Sequence, residues 1–263
     1  MSRDGTRIAD KTVRLWDAAT GQQIGPAMRH DDWVAGARLS PDETRILSWS
    51  NDKTVRLWDV VTGQQIGPAM THDGWVGGAA LNLDGTRILS WSGDKTVRLW
   101  DAATGQQIGP AMTHDEWVRG ALFNRDETRI LSWAGNTVRL WDAAAGGQIG
   151  PAMTYDDHVN GAMLSRDEIR ILSWTTRTIR LWDVATGQQI GPAMRHGYEL
   201  RGARLIRDES RILSWSDNIV TLWDVATGRQ IGPVMAHDDK VGGALLSPDE
   251  SRILSWSSPS TRR

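Results

Sequence analysis

A fifteen-residue stretch, Arg45 to Asp59, reads RILSWSNDKTVRLWD and returns, more or less altered, along the whole chain. Its closing Trp-Asp pair stands at Trp16-Asp17, Trp58-Asp59, Trp100-Asp101, Trp141-Asp142, Trp182-Asp183 and Trp223-Asp224, so successive tryptophans lie 42, 42, 41, 41 and 41 residues apart. That period is too long for a hairpin and too short for a domain. A unit of this size that cannot cover its own apolar faces has to stack on copies of itself, so one body over 1–263 is expected.

Within one unit, the loop His30-Asp31-Asp32-Trp33 leads into VAGARLS, residues 34–40, which is short, apolar and rich in small residues and reads as a buried strand. Pro41-Asp42 supply turn chemistry before RILSWS, the second strand of a hairpin. Asn51-Asp52 turn the chain again into TVRLWD, β-branched and aromatic, a third strand. After Thr62-Gly63 comes GQQIGPAM, residues 63–70, a fourth and weakest strand or else a loop. Six of the nine prolines, Pro26, Pro68, Pro110, Pro151, Pro192 and Pro233, occupy one position in that segment. Proline cannot donate to a ladder, which puts the fourth strand on the outer edge of its sheet and discourages edge-to-edge aggregation. No run has helical apolar spacing. The chain reads as all-β, with four antiparallel strands per unit, the pattern of a propeller blade.

The 15 Trp, against 2 Tyr and 1 Phe, fall into three repeated classes and so belong to the repeat design. One is the Trp of the Trp-Asp pair; the second is Trp49, Trp91, Trp133, Trp174, Trp215 and Trp256; the third is Trp33, Trp75 and Trp117. A formal net charge of -2, with both signs interspersed, gives no electrostatic case for nucleic acid or an anionic membrane. The absence of cysteine excludes disulfide frameworks and thiolate metal sites. MSRDGTRIAD lacks the apolar core of a signal peptide and no run is long enough to span a bilayer, so a soluble, cytoplasmic monomer is the expectation.

TVRLWD closing a forty-residue unit, preceded by Ser-x-x-x-Asp and an upstream His, resembles the WD-repeat β-propeller family over almost the whole chain. The resemblance implies a hydrogen-bonded tetrad of His, Ser, Asp and Trp inside each blade. The matching sets are His30, Ser48, Asp52 and Trp58, then His72, Ser90, Asp94 and Trp100. The third unit has His114, Ser132 and Trp141 with Asn136 near the Asp position; the fifth has His196, Ser214, Asp217 and Trp223 but is a residue short between Ser and Trp. The fourth has Tyr155 in place of His and keeps only Ser173 and Trp182, which makes it the blade expected to be least rigid. The family favours a small residue where Trp49 and its counterparts stand, and a volume exchange with Gly36-Ala37 is the expected compensation.

Strand counting gives six copies of each strand in permuted order. A six-bladed β-propeller is therefore expected, with blades at 30–70, 72–112, 114–153, 155–194 and 196–235. A composite blade of 10–28 plus 237–257 would close it by pairing the N- and C-terminal segments. Gly5 to Ala9 looks like a shortened second strand that competes with Arg252 to Ser257. The alternative is part of an array with seven or more blades.

Ser, His and Asp together invite a hydrolase reading. Repetition argues against it, because a catalytic triad is wanted once. No calcium loop or phosphate-binding glycine motif is present, so neither catalytic residue, metal nor cofactor is assigned. Function is better sought where copies differ. The position before the first strand reads Trp33, Trp75, Trp117, His158, Glu199 and Lys240, and the second position of that strand reads Ala35, Gly77, Arg119, Asn160, Arg201 and Gly242. Trp33, Trp75, Trp117, Arg119, His158, Asn160 and Arg201 are thus the candidate binding residues, the tryptophans alternatively capping gaps between blades. The expected role is a non-catalytic scaffold that binds a protein or peptide. The near-identical units also resemble propeller modules of bacterial signalling proteins, which implies a sensor role in a larger system. A small-ligand or enzymatic propeller using the central channel, and a purely structural array, are the alternatives.

Overall fold

The computed structural model describes residues 10–257, which hold twenty-four β-strands and, among the described residues, no helix. The first two, β1 (Thr12–Trp16) and β2 (Gln23–Arg29), form a two-stranded sheet. Five four-stranded antiparallel sheets follow, each with its strands side by side in chain order. They are β3 (Val34–Leu39), β4 (Arg45–Ser50), β5 (Thr54–Asp59) and β6 (Gln65–Thr71); then β7 (Val76–Leu81), β8 (Arg87–Ser92), β9 (Thr96–Asp101) and β10 (Gln107–Thr113). The third comprises β11 (Val118–Phe123), β12 (Arg129–Ala134), β13 (Thr137–Asp142) and β14 (Gln148–Thr154). The fourth is β15 (Val159–Leu164), β16 (Arg170–Thr175), β17 (Thr178–Asp183) and β18 (Gln189–Arg195), and the fifth is β19 (Leu200–Leu205), β20 (Arg211–Ser216), β21 (Ile219–Asp224) and β22 (Gln230–Ala236). A last pair, β23 (Val241–Leu246) and β24 (Ile253–Ser257), is again two-stranded.

These are the all-β, repeated four-stranded sheets of a WD-type propeller, and the strand complement fits six blades. The segments expected to pair into a composite blade form two separate two-stranded sheets, β1–β2 and β23–β24, and the expected remnant at Gly5 to Ala9 lies outside the described residues. The chain divides into two compact units, Met1–Ile130 with Trp141–Gly147 and Leu131–Leu140 with Gln148–Arg263.

Within each unit the core lies between neighbouring sheets. Leu47, Trp49, Val55, Leu57 and Met70 of one blade pack against Val76, Ala79, Ile88, Trp100 and Ala102 of the next, all buried. In the second unit, Leu172, Ile179, Leu181 and Met194 meet Leu200, Ala203, Ile212 and Trp223 in the same way. Each buried aliphatic side chain contributes about 1.5–3 kcal/mol. Alternation then explains why RILSWS is buried on both sides: Ile46 faces the cluster with Val13, Met28 and Trp58, whereas Leu47 and Trp49 face the following blade.

The volume exchange occurs at one residue of the expected pair. Gly36 lies opposite Trp49 in the β3–β4 register, and a Cβ built on it would fall 2.3 Å from Trp49 Cζ2. The distance is 2.1 Å between Gly78 and Trp91 and 2.3 Å between Gly202 and Trp215. Ala37 instead faces Ser48 across the ladder and takes no part. One residue earlier the first strand is bulged: Val34 pairs Ser50 and Gly36 pairs Trp49, which leaves Ala35 as an extra residue. The same break surrounds Gly77, Asn160, Arg201 and Gly242.

The fourth segment is a strand and not a loop, on the edge of its sheet as the prolines require. Its register shifts around Gly-Pro, where Gly25 has φ 67° and Pro26 needs no ladder partner. That proline also packs on the next blade. A Cβ on Gly63 would meet Pro26 Cγ at 2.7 Å, and Gly105 stands in the same relation to Pro68 at 2.9 Å. At the opposite end, Glu127 accepts hydrogen bonds from Asn82 Nδ2 (2.7 Å), the Leu83 amide (2.6 Å) and Arg87 (2.9 Å) of the blade before it. Glu209 and Glu250 clasp Arg170 (2.6 Å) and Arg211 (3.0 Å) likewise.

Gly78→Ala is expected to overpack this hairpin and destabilise the protein by about 1–3 kcal/mol. In Gly78→Ala/Trp91→Leu the clash is gone, so most of the loss should return. Urea-unfolding midpoints of the two single variants and the double variant measure the coupling; additive effects would remove the steric account.

Candidate functional site

In the first complete blade His30 Nδ1 donates to Asp52 Oδ2 at 2.8 Å, Ser48 Oγ donates to His30 Nε2 at 2.7 Å, and Trp58 Nε1 donates to Ser48 Oγ at 2.8 Å. His72, Asp94, Ser90 and Trp100 repeat the set at 2.9, 2.7 and 2.8 Å. The carboxylate selects the Nδ1–H tautomer, so the serine proton points to Nε2. Burial lowers the His30 pKa against the raising pull of Asp52, and the imidazole is neutral. Burial opposes the charge on Asp52, yet hydrogen bonds from Thr54, the Asp31 amide and His30 keep its carboxyl below the usual range. Arg56 reaches Asp31 at 3.1 Å and Asp52 at 3.4 Å from above.

Asp, His and Ser thus stand in the order of a catalytic triad, but the chemistry is blocked. Ser48 is wholly buried and its oxygen already accepts the Trp58 N–H. A nucleophile needs that lone pair and room for a substrate.

The incomplete sets show what the network requires. In the third blade His114 and Trp141 keep the edge-on ring contact, centroids 5.6 Å apart, and Ser132 is wholly buried. In the fourth, the Tyr155 hydroxyl hydrogen-bonds Ser173 and accepts the Trp182 N–H at 3.0 Å, while Arg180 lies over its ring at 4.7 Å. Burial pushes that hydroxyl up to about 12. Tyr155 therefore fills the place left by histidine, and the missing His gives no reason for a looser blade. In the fifth, Ser214 joins His196 (2.7 Å) and Trp223 (2.8 Å), but Asp217 is not a member, correcting the expected tetrad. The hairpin that is one residue short puts its carboxylate on Arg201, at 3.0 and 3.2 Å.

The loop that starts at each knot carries the candidate residues. Trp33, Trp75 and Trp117 are 54%, 42% and 40% exposed. Trp75 lies over two glycines, its Cζ3 3.0 Å from a Cβ built on Gly77 and its Nε1 2.4 Å from one on Gly93. Trp117 packs on Trp75 with centroids 5.6 Å apart, and the Arg119 guanidinium lies 4.4 Å over Trp117. Three of the predicted residues thus form one row in the first unit. Trp33 belongs to the same unit, where Ala35 and Asn51 replace the two glycines. In the second unit His158 and Asn160 are exposed, and Arg201 is paired with Asp217, which Lys240 approaches at 4.0 Å. The bulge leaves Ala35, Gly77, Asn160, Arg201 and Gly242 exposed, and Arg119, at the same position of its strand, is half-buried. Alternation alone does not show that extra residue, although the change of residue type from copy to copy marks it.

One cleft in the first unit, about 480 Å³, is lined by Arg38, Leu81, Trp91, Phe123, Arg125 and Glu127 among others. Glu127 there is committed to the interblade hydrogen bonds and is not available as an acid or base.

Residues 23–59 and 64–101 match the model of the WD domain, G-beta repeat, and the chain carries WD repeats. WD repeats generally mediate protein–protein interaction, typically on a non-catalytic scaffold. Among known proteins, Nuclear distribution protein PAC1 of Mycosarcoma maydis is similar, 42% identical over 43 residues. That stretch is 16% of this chain and a tenth of the relative's length.

His196 lacks the carboxylate partner of His30, and burial lowers its pKa from 6.5 to about 4. The folded state resists protonation that the unfolded state accepts. Stability is therefore full above pH 6.5 and is lost as the pH falls toward 4, by about 3 kcal/mol. His196→Tyr, which copies the arrangement around Tyr155, should flatten this part of the profile. Melting temperatures of both proteins between pH 7 and pH 4 make the comparison, and parallel declines would show that His196 is not the group responsible.

Proposed function

We propose that the protein is a non-catalytic binding module that takes a protein or peptide segment on the face carrying Trp33, Trp75, Trp117 and Arg119. The observation behind this reading is the row Trp75, Trp117 and Arg119: large side chains packed on one another, with both indoles left open to water. An ordered aromatic row costs little further entropy when a partner lands, and Trp and Arg dominate interface hot spots. A role as gap filler between blades fits less well, since sealing tryptophans would be buried, as Trp58 and Trp100 are. A place within a larger signalling system is compatible with this reading and is part of the proposal, as is a monomeric, cytoplasmic state.

The test uses the whole chain as bait for a phage-displayed library of random dodecapeptides. Trp75→Ala/Trp117→Ala removes the row but no core, so it should melt within a few degrees of the parent. Selected peptides are expected to bind it at least tenfold more weakly, the effect of losing one hot spot. Equal binding by parent and variant would move the site elsewhere.

A further inference from the structure

We infer that Arg119 is a receptor for a carboxylate, so that the aromatic row takes a segment in which Asp or Glu adjoins an apolar side chain. This rests on the reading of the face given above and adds the chemistry of its ligand.

Other arginines around these loops have a carboxylate of their own. Arg56 has Asp31 at 3.1 Å, Arg98 has Asp73 at 3.2 Å, and Arg180 has Asp156 at 3.6 Å. The closest comparison is Arg201, at the same second position of its first strand two repeats on, which Asp217 neutralises at 3.0 Å. The copy with Arg119 reads Ala134-Gly135-Asn136 where the other reads Ser216-Asp217-Asn218, so the residue type that neutralises Arg201 is replaced by glycine. The contact described for the Arg119 guanidinium is the face of Trp117 at 4.4 Å.

A guanidinium in this state is preorganised for an anion. The indole fixes its plane and displaces water from one side without supplying an acceptor, which leaves the N–H groups in its plane to look for one. A planar carboxylate matches the guanidinium fork with two parallel hydrogen bonds. The loop acids do not fill this role: Asp73 is held by Arg98, and Asp115 and Glu116 have interactions of their own. Trp75 and Trp117, packed in a row beside the guanidinium, offer the apolar surface for a neighbouring side chain, so charge and hydrophobic contact are read together.

The peptide display separates this inference from the reading below it. The parent is expected to enrich peptides with Asp or Glu next to Leu, Ile, Phe or Trp. A synthetic peptide from that set should bind Arg119→Gln at least tenfold more weakly, and its affinity for the parent should fall with added salt. Arg119→Glu should select Lys or Arg in place of the acid. Peptides without acidic bias, or equal binding by Arg119→Gln, overturn the inference while leaving the aromatic face standing if Trp75→Ala/Trp117→Ala still loses them. Peptides that survive the tryptophan changes but not Arg119→Gln keep the carboxylate receptor and remove the aromatic row. No enrichment on the parent overturns both.

Discussion

A serine hydroxyl sealed from water must find its partners inside the protein, and everything else in a blade is placed to provide them. Ser48, Ser90, Ser173 and Ser214 have no exposure, and each takes an indole N–H from the third strand. The remaining partner comes from the segment just before the first strand, His30, His72, Tyr155 or His196. One oxygen thus ties an incoming loop to two strands of the sheet. The loop, so anchored, delivers a tryptophan to the surface three residues later at Trp33, Trp75 and Trp117. What the face presents therefore depends on a hydrogen bond buried behind it, and the exposed and buried tryptophans serve opposite ends of one arrangement.

The strands were legible because each has its own signature: small apolar residues, RILSW, a β-branched run, and Gly-Pro at the edge. The hydrogen-bond partners in the first two complete blades could be paired from the family pattern alone, since their spacing is regular. Asp217 shows where that method stops. A hairpin one residue shorter rotates the carboxylate to a different neighbour, and identity of residue type hides the change. Tyr155 is the converse, a different residue type that satisfies the same oxygen. The bulge was not read from alternation, because a single extra residue leaves the pattern on both sides intact. Nor was the packing of Pro26 on Gly63, which joins residues with no shared strand.

Repetition and variation divide the labour along each unit. Positions that are the same in every copy make the sheet, and the buried Ser–Trp pair at the centre of each described knot recurs even where its His or Asp does not. Positions that change lie at the loop end and at the bulge, where the first strand is released from its ladder for one residue. A side chain there can be exchanged at little cost to the sheet. Gly77 is one such choice, making room for the aromatic row, and Arg119, at the same position of its own first strand, extends that row.

The contacts that join one blade to the next are themselves repeated, with the proline of one edge on the glycine of the following turn. Nothing in that proline–glycine contact distinguishes one neighbour from another. A recombination event in the gene that removed or inserted one whole period would leave the same proline-on-glycine contact at every joint. Copy number is therefore free to drift by slippage between near-identical coding segments, and each gain or loss would bring two differently equipped loops side by side. For a module of this design, a new arrangement of the binding face is a change in genetic copying before it is a change in any residue.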